Sequence, residues 1–295
     1  MKNTIEYFYN IKVLKIHQNG KVYYFEHEGY NYILEPVELD FLNEIYELSS
    51  YLYNNNILVH QIVPAREALT IKFNELNYIL LKVYIEKRNI TYEDIFKINA
   101  ITLTKRENRL RRDDWYTLWT NKNDYFEYQM SQVGKKYPNL KESFSYCIGI
   151  SENAIQLFNS VSKEKLSLNL SHKRIKSNYT TYELYNPLNF VIDYRIRDVS
   201  EYFKDLFFND KLDINDIYNY LYYNNLSYEE SVLFFSRLIY PSFYFDIYEE
   251  VLLNNISDDK VSNLNNKIIE YEDIIKKVYY YLKNNNKLPE ISWLN

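Results

Sequence analysis

The chain has 295 residues, 46 % apolar and 18 % aromatic, enough for one large core or two packed lobes and too apolar for a disordered chain. A net charge of −5 argues against nucleic acid as the main partner, because neutralising phosphates takes a basic face. One cysteine, Cys147, excludes an internal disulfide and a Cys-rich zinc site, and only 4 glycines leave little for a glycine-lined phosphate loop.

The N-terminus, MKNTIEYFYNIK, has no signal-peptide apolar run, and no stretch approaches the ~20 apolar residues of a membrane span. An intracellular protein that is not transmembrane is expected. VLKIHQ, a turn at Gly20, KVYYFEHE, a turn at Gly29 and YNYILEPV predict an antiparallel meander that Pro36 ends. Residues 39–53 follow as a helix, with Phe41, Ile45, Leu48 and Leu52 at helical spacing. VHQIVPA, EALTIKF and NYILLKVYI read as further strands.

From Tyr92 the periodicity turns helical, with segments near 92–103, 107–132, 141–161, 197–208, 213–223, 227–237, 241–254 and 264–284. In the last, Ile268, Tyr271, Ile275, Val278 and Leu282 form a stripe that packs on the core rather than a coiled coil. The run TKRENRLRRDD (104–114) would, as a helix, put Lys105, Arg109 and Arg112 on one face, either solvated or a docking patch for an acidic partner. Trp115 and Trp119 follow at i, i+4, a core pair or an interface anchor. The four histidines (His17, His27, His60, His172) show no metal-ligand spacing. Asn, Ile, Lys and Tyr all use AT-rich codons, so their abundance carries little functional weight.

Strands first and helices after predict an α+β protein with an N-terminal sheet lobe (1–88) and a helical C-terminal lobe (89–295). YNPLNFVIDYRIRD (185–198) reads as strand, turn and helix start with polar residues placed for a site. It raises the question whether Asp193 is a metal-binding carboxylate.

A small antiparallel sheet with one helix, a hinge, and a larger helical lobe is the layout of bilobal protein-kinase-like folds. DDWYTLWTNKNDYFEYQMSQVGKKYP (113–138), SFSYCIGISENAIQLF (143–158), LSHKRI (170–175), YNPLNFVIDYRIRDVSEYFK (185–204) and RLIYPSFYFDIYE (237–249) narrow the likeness. Together they resemble the spore coat protein family of the YutH type, related to CotS-type coat proteins and, more distantly, to aminoglycoside and choline phosphotransferases. The resemblance implies an aminoglycoside phosphotransferase-like fold and a role around endospore coat assembly. It does not imply activity.

Phosphoryl transfer needs a backbone loop over the phosphates, a strand lysine braced by a helix glutamate, a catalytic-loop Asp, and a metal-binding Asp with an Asn. HQNGK, with one glycine, reads as an ordinary hairpin turn. The resemblance aligns Glu35 with the lysine and Glu44 or Glu47 with its brace, and a glutamate there repels an anion; in another register Lys21, Lys72 or Lys82 would reach inward. The related H-G-D becomes His172-Lys173-Arg174, so Arg174, which cannot take a proton near neutral pH, stands at the base position. Asn178 is one residue short of the usual spacing and reads as a turn residue. The gapless match of IDYRIRDVS puts the metal Asp on Asn186, whose amide is a poor magnesium anchor. Asp198 then falls at a helix start as an expected cap, and His172 keeps a structural hydrogen bond. A second register would make Asp193 the metal ligand.

Lys173, Arg174, Lys176, Arg195 and Arg197 cluster in two of these segments. They read either as a metal-free anion site or as internal ion pairs, Arg195 or Arg197 with Glu183, Glu201 or Asp198. The expectation is therefore a pseudokinase with no catalytic residues, metal or cofactor. It would be made in the mother-cell cytoplasm and laid down in the spore coat, with other coat or morphogenetic proteins as partners. The alternative is an active amino-alcohol or sugar kinase using ATP, magnesium and Asp193.

Overall fold

The computed structural model describes residues 1–103, 109–253 and 255–294. The chain opens with helix α1 (Lys2–Tyr9), strands β1 (Ile16–Asn19), β2 (Val22–His27) and β3 (Tyr30–Pro36), helix α2 (Leu42–Asn54), and strands β4 (Gln61–Val63), β5 (Thr70–Phe73) and β6 (Leu76–Val83). Helices α3 (Tyr92–Asn99), α4 (Trp115–Val133) and α5 (Pro138–Asn159), strand β7 (Leu168–His172), the short α6 (Thr181–Leu184) and strand β8 (Phe190–Tyr194) come next. Helices α7 (Arg197–Phe208), α8 (Ile214–Asn224), α9 (Tyr228–Ile239), α10 (Ser242–Leu252) and α11 (Val261–Asn284) complete it. No helix among the described residues is long and apolar enough to cross a membrane.

The elements group into two compact units. The first holds Met1–Thr91, the described part of Lys105–Arg111, and Asn178–Ile192. The second holds Tyr92–Thr104 where described, Arg112–Ser177 and Asp193–Asn295 where described. The predicted cut at residue 88 lies near the end of the first segment, and two later segments return to the first unit.

In the first unit the strands form one antiparallel sheet in the order β1-β2-β3-β6-β4, with β5 also paired to β6. The β2–β3 hairpin turns through Glu28 and Gly29, both at positive φ (50° and 76°), the conformation that matches the twist of a two-residue hairpin. Asn74 and Glu75 do the same between β5 and β6 without a glycine. Ile5 of α1 packs with Phe25, Tyr32, Leu34, Ile71 and Leu80. Helix α1, absent from the elements expected from the sequence, ends on Asn10 in the left-handed region, where asparagine is tolerated. The returning segment is fixed by a capping box between Thr180 and Glu183, by Thr181 Oγ1 donating to the Glu86 carbonyl at 2.6 Å, and by the His60 N–H donating to the Tyr185 carbonyl at 3.0 Å.

The second unit is helical around α9, where Val232, Leu233, Phe234, Phe235, Leu238 and Ile239 are all buried. A helix apolar on every side needs neighbours all round. Ser227 and Glu230 start it with a second capping box. The predicted α11 stripe of Ile268, Tyr271, Ile275, Val278 and Leu282 is buried throughout. Helix α4 starts at Trp115, capped by Asp114, later than the predicted 107, and residues 109–114 are not helical. Arg109 and Arg112 therefore share no helix face, and Lys105 lies outside the described residues. Trp115 and Trp119 are 0 % and 4 % exposed, so they are core residues, not an exposed interface anchor.

Candidate functional site

In the first unit, β3 carries Glu35 near its end, opposite Ile79 of β6. Asn186 caps the single turn Pro187–Asn189 by accepting from the Leu188 N–H at 3.0 Å, which aims its other amide atom at Glu35. Asn186 Nδ2 donates to Glu35 Oε1 at 2.6 Å. Burial raises the Glu35 pKa and nearby Glu183 adds to the rise, while the Asn186 bond pulls the other way. Glu35 and Asn186, the positions that the sequence resemblance implies for the kinase lysine and the metal carboxylate, thus meet as a glutamate–amide pair. Glu44 instead pairs with Arg109 at 3.4 Å, and Glu47 is exposed. Lys82 lies over the Tyr30 ring at 3.5 Å, and Lys21 and Lys72 are exposed.

In the second unit, β7 ends on His172, which is fully buried. Asp198, in the first turn of α7, accepts from the His172 N–H at 3.0 Å, meets His172 Nδ1 at 2.7 Å, and accepts from Asn99 Nδ2 at 3.1 Å. Burial works against its charge, but His172, Arg197 and Asn99 outweigh burial and hold its pKa low. The expected capping role is corrected: α7 has no side-chain cap, and Asp198 instead ties α7 to β7 and α3.

Asp193, on β8, is 0 % exposed. Trp115 Nε1 donates to its two oxygens at 3.0 and 3.1 Å, and the Tyr194 N–H donates at 2.7 Å. Arg197 Nε forms an ion pair with Oδ2 at 3.0 Å. Burial pushes the Asp193 pKa up to about 7, against the pull of Arg197 and Arg237. Arg197 also donates to the His172 carbonyl and, at 3.1 Å, to the Lys173 carbonyl. Among the described residues no group of three His, Cys, Asp or Glu side chains could hold a metal ion.

Lys173, Arg174 and Lys176 follow β7 and are exposed. With Arg197 they line a cavity of about 350 Å³ that lies wholly in the second unit. Arg195 does not line it: its guanidinium holds Glu230, not Glu183, Glu201 or Asp198. Arg174 is held by both oxygens of Asp246. The four expected cations that meet here do so because β7 and α7 are bridged by Arg197 and Asp198.

Sequence reasoning missed much of the cavity. Trp119 stacks on Tyr240 with ring centroids 4.2 Å apart, and Phe208 stacks on Phe243 at 3.8 Å. Lys204 is 2 % exposed, and its ammonium lies within hydrogen-bond distance of Glu201, Ser242 and the carbonyls of Arg237 and Tyr240, closing the C-terminal end of α9. Burial lowers the Lys204 pKa to about 8. At Glu201 burial opposes the charge, but Lys204 and Arg237 overcome it and bring the pKa to about 2. The i, i+3 spacing of Glu201 and Lys204 was a readable signal, whereas nothing local marks Asp246 as the partner of Arg174.

The family model described as "Spore coat putative kinase YutH" matches residues 2–284. The endospore coat-associated protein YutH of Bacillus subtilis (strain 168) is 25 % identical, over 100 % of this chain and 98 % of its own. An aminoglycoside phosphotransferase from Alicyclobacillus acidocaldarius superposes with a TM-score of 0.61 at 10 % identity, covering 92 % of each chain. Choline kinase LicA from Streptococcus pneumoniae superposes with a TM-score of 0.52 at 10 % identity, covering 94 % of this chain and 97 % of its own. The fold is that of the aminoglycoside phosphotransferases and choline kinases, and the chain belongs to the spore coat YutH family.

Proposed function

We propose that this chain is a non-catalytic kinase-fold protein of endospore coat assembly, which engages other coat or morphogenetic proteins rather than transferring phosphate. Its family and its Bacillus subtilis relative support the coat setting. Synthesis in the mother-cell cytoplasm before deposition is part of the same reading.

The observation that carries the loss of catalysis is the bond from Asn186 to Glu35. Where the aligned enzymes hold phosphate with a cation and magnesium with an acid, this chain pairs an amide with a carboxylate. Asp193, the fallback ligand, has its oxygens committed to Trp115, Tyr194 and Arg197. These residues do not fit a magnesium–nucleotide complex, which needs carboxylate oxygens facing the ion.

The test is a thermal-shift titration of the whole chain with ATP and ADP, with and without magnesium, beside a phosphotransferase assay on pooled amino alcohols and sugars. No turnover and no magnesium-dependent shift are expected. Turnover that Asp193→Asn abolishes would establish the small-molecule kinase instead. A fluorescent fusion that stays diffuse in the mother cell through sporulation would remove the coat role.

A further inference from the structure

The cavity of the second unit has a charge balance opposite to that of the chain. The protein carries −5, yet eight Lys and Arg side chains line this cavity against four Asp and Glu. Asp193 and Glu249 pair with Arg197 and Lys122 from outside the lining. The deep cations serve the fold: Arg197 holds Asp193, and Lys204 with Arg237 holds Glu201. At the rim, Arg174 pairs with Asp246. Lys173, Arg174 and Lys176 are exposed, and Lys176 makes no ion pair among the described residues. The half-buried stacked pair Phe208–Phe243 adds flat apolar surface to the same cavity. At about 350 Å³ it has the volume of a small-molecule site.

The Arg174–Asp246 pair indicates how an anion would be held. A guanidinium fork binds a carboxylate or a phosphate through two parallel N–H bonds, and Asp246 already occupies that fork. Asp246 is over a third exposed, so solvent screens the pair and a competing anion can displace it at a cost of about tenfold in affinity.

We propose that this cavity binds a small organic anion, a flat apolar body bearing a carboxylate or a phosphate, without a metal. Lys173, Arg174 and Lys176 take the anionic head, and Asp246 is the internal carboxylate that the ligand displaces. The inference deepens the non-catalytic reading by giving the cavity a binding role in place of a chemical one. Phosphoryl transfer with magnesium and ATP would overturn that reading while leaving metal-free anion binding to be decided separately.

The experiment is calorimetric titration of the whole chain in EDTA with benzoate, phenyl phosphate and neutral phenol. One of the two anions is expected to bind at one per chain, and which one identifies the head group; phenol should not. Lys176→Glu should weaken binding about tenfold, the worth of one charge-assisted contact, with unchanged melting of the free protein. Asp246→Asn, which releases Arg174, should tighten binding by a similar factor, a gain that misfolding cannot produce. Absence of anion binding by both the wild type and Asp246→Asn, or equal binding by Lys176→Glu, overturns the proposal.

Discussion

The Asn186 amide donates to the Glu35 carboxylate across 2.6 Å, joining the end of β3 to the turn before β8. The two side chains are thereby physically coupled. A glutamate at 35 needs a donor at 186, and an aspartate at 186 would face it with like charge. Charging either position alone, Lys at 35 facing an amide or Asp at 186 facing a carboxylate, is therefore unfavourable.

Asn186→Asp should destabilise the protein by about 2 kcal/mol at neutral pH, through loss of the donor and carboxylate repulsion. Crowded carboxyls have folded-state pKa values above the unfolded ones, so the folded form binds the extra proton. The deficit should shrink as pH falls through the raised pKa. Glu35→Lys with Asn186→Asp restores opposite charges and should recover most of the loss. A urea-unfolding double-mutant cycle measures the coupling, and additive effects would mean that the bond contributes nothing.

The layout of both units was legible because it rests on periodicity, alternation in the strands and helical spacing in Ile268, Tyr271 and Ile275 of α11. The Glu35 and Asn186 positions came from aligned motifs, but their contact spans 151 residues of sequence and no local pattern encodes it. The same holds for Arg195, which chose Glu230, and for Arg174 with Asp246. Ion-pair partners are set by tertiary neighbours. The helix expected from 107 failed because Asp114 caps α4 at its own side-chain oxygen and fixes the start at Trp115.

Acid should unfold the protein partly through α7. The pKa of Glu201 is about 2, below its ordinary 4.5, and that of Asp198 is also lowered. A lowered folded-state pKa gives stability that is present above the unfolded value and lost as pH falls through the folded one. The Glu201 share should therefore disappear between pH 4.5 and about 2. Glu201→Gln should be less stable at neutral pH and lose less of its stability over that interval, as read by denaturant midpoints at each pH.

Phe41 precedes α2 with φ 59° and ψ 16°, a left-handed conformation that a bulky residue adopts at a cost of about 1–2 kcal/mol. The Arg109 guanidinium lies 4.6 Å from its ring centre, an exposed contact worth about 0.5–1 kcal/mol. Phe41→Asn relieves the strain and forfeits that contact. The net expectation is stabilisation of up to about 1 kcal/mol, seen as a higher thermal midpoint. A lower midpoint would show that the ring's packing outweighs the backbone cost.

Asp193 and Arg197 form a buried ion pair, 0 % and 10 % exposed at the side chain, that also orients Trp115. Removing Asp193 leaves the buried Arg197 with Asp198, at 3.5 Å, as its remaining carboxylate, whereas removing both Asp193 and Arg197 leaves Asp198 with His172. Asp193→Asn should cost less than the roughly 3–5 kcal/mol of a wholly unpaired buried charge, because Arg197 keeps Asp198 at 3.5 Å and Asp193, with a pKa pushed up to about 7, is only partly ionised at neutral pH. Asp193→Asn with Arg197→Met should recover part of that, limited by the loss of the Arg197 bonds to the His172 and Lys173 carbonyls. Trp115 fluorescence supplies a local readout, since its indole N–H donates to the altered group. A structural Asp193 predicts that magnesium or manganese changes neither the melting temperature nor that fluorescence. A metal-dependent rise in stability that Asp193→Asn eliminates would return the residue to the role of a ligand.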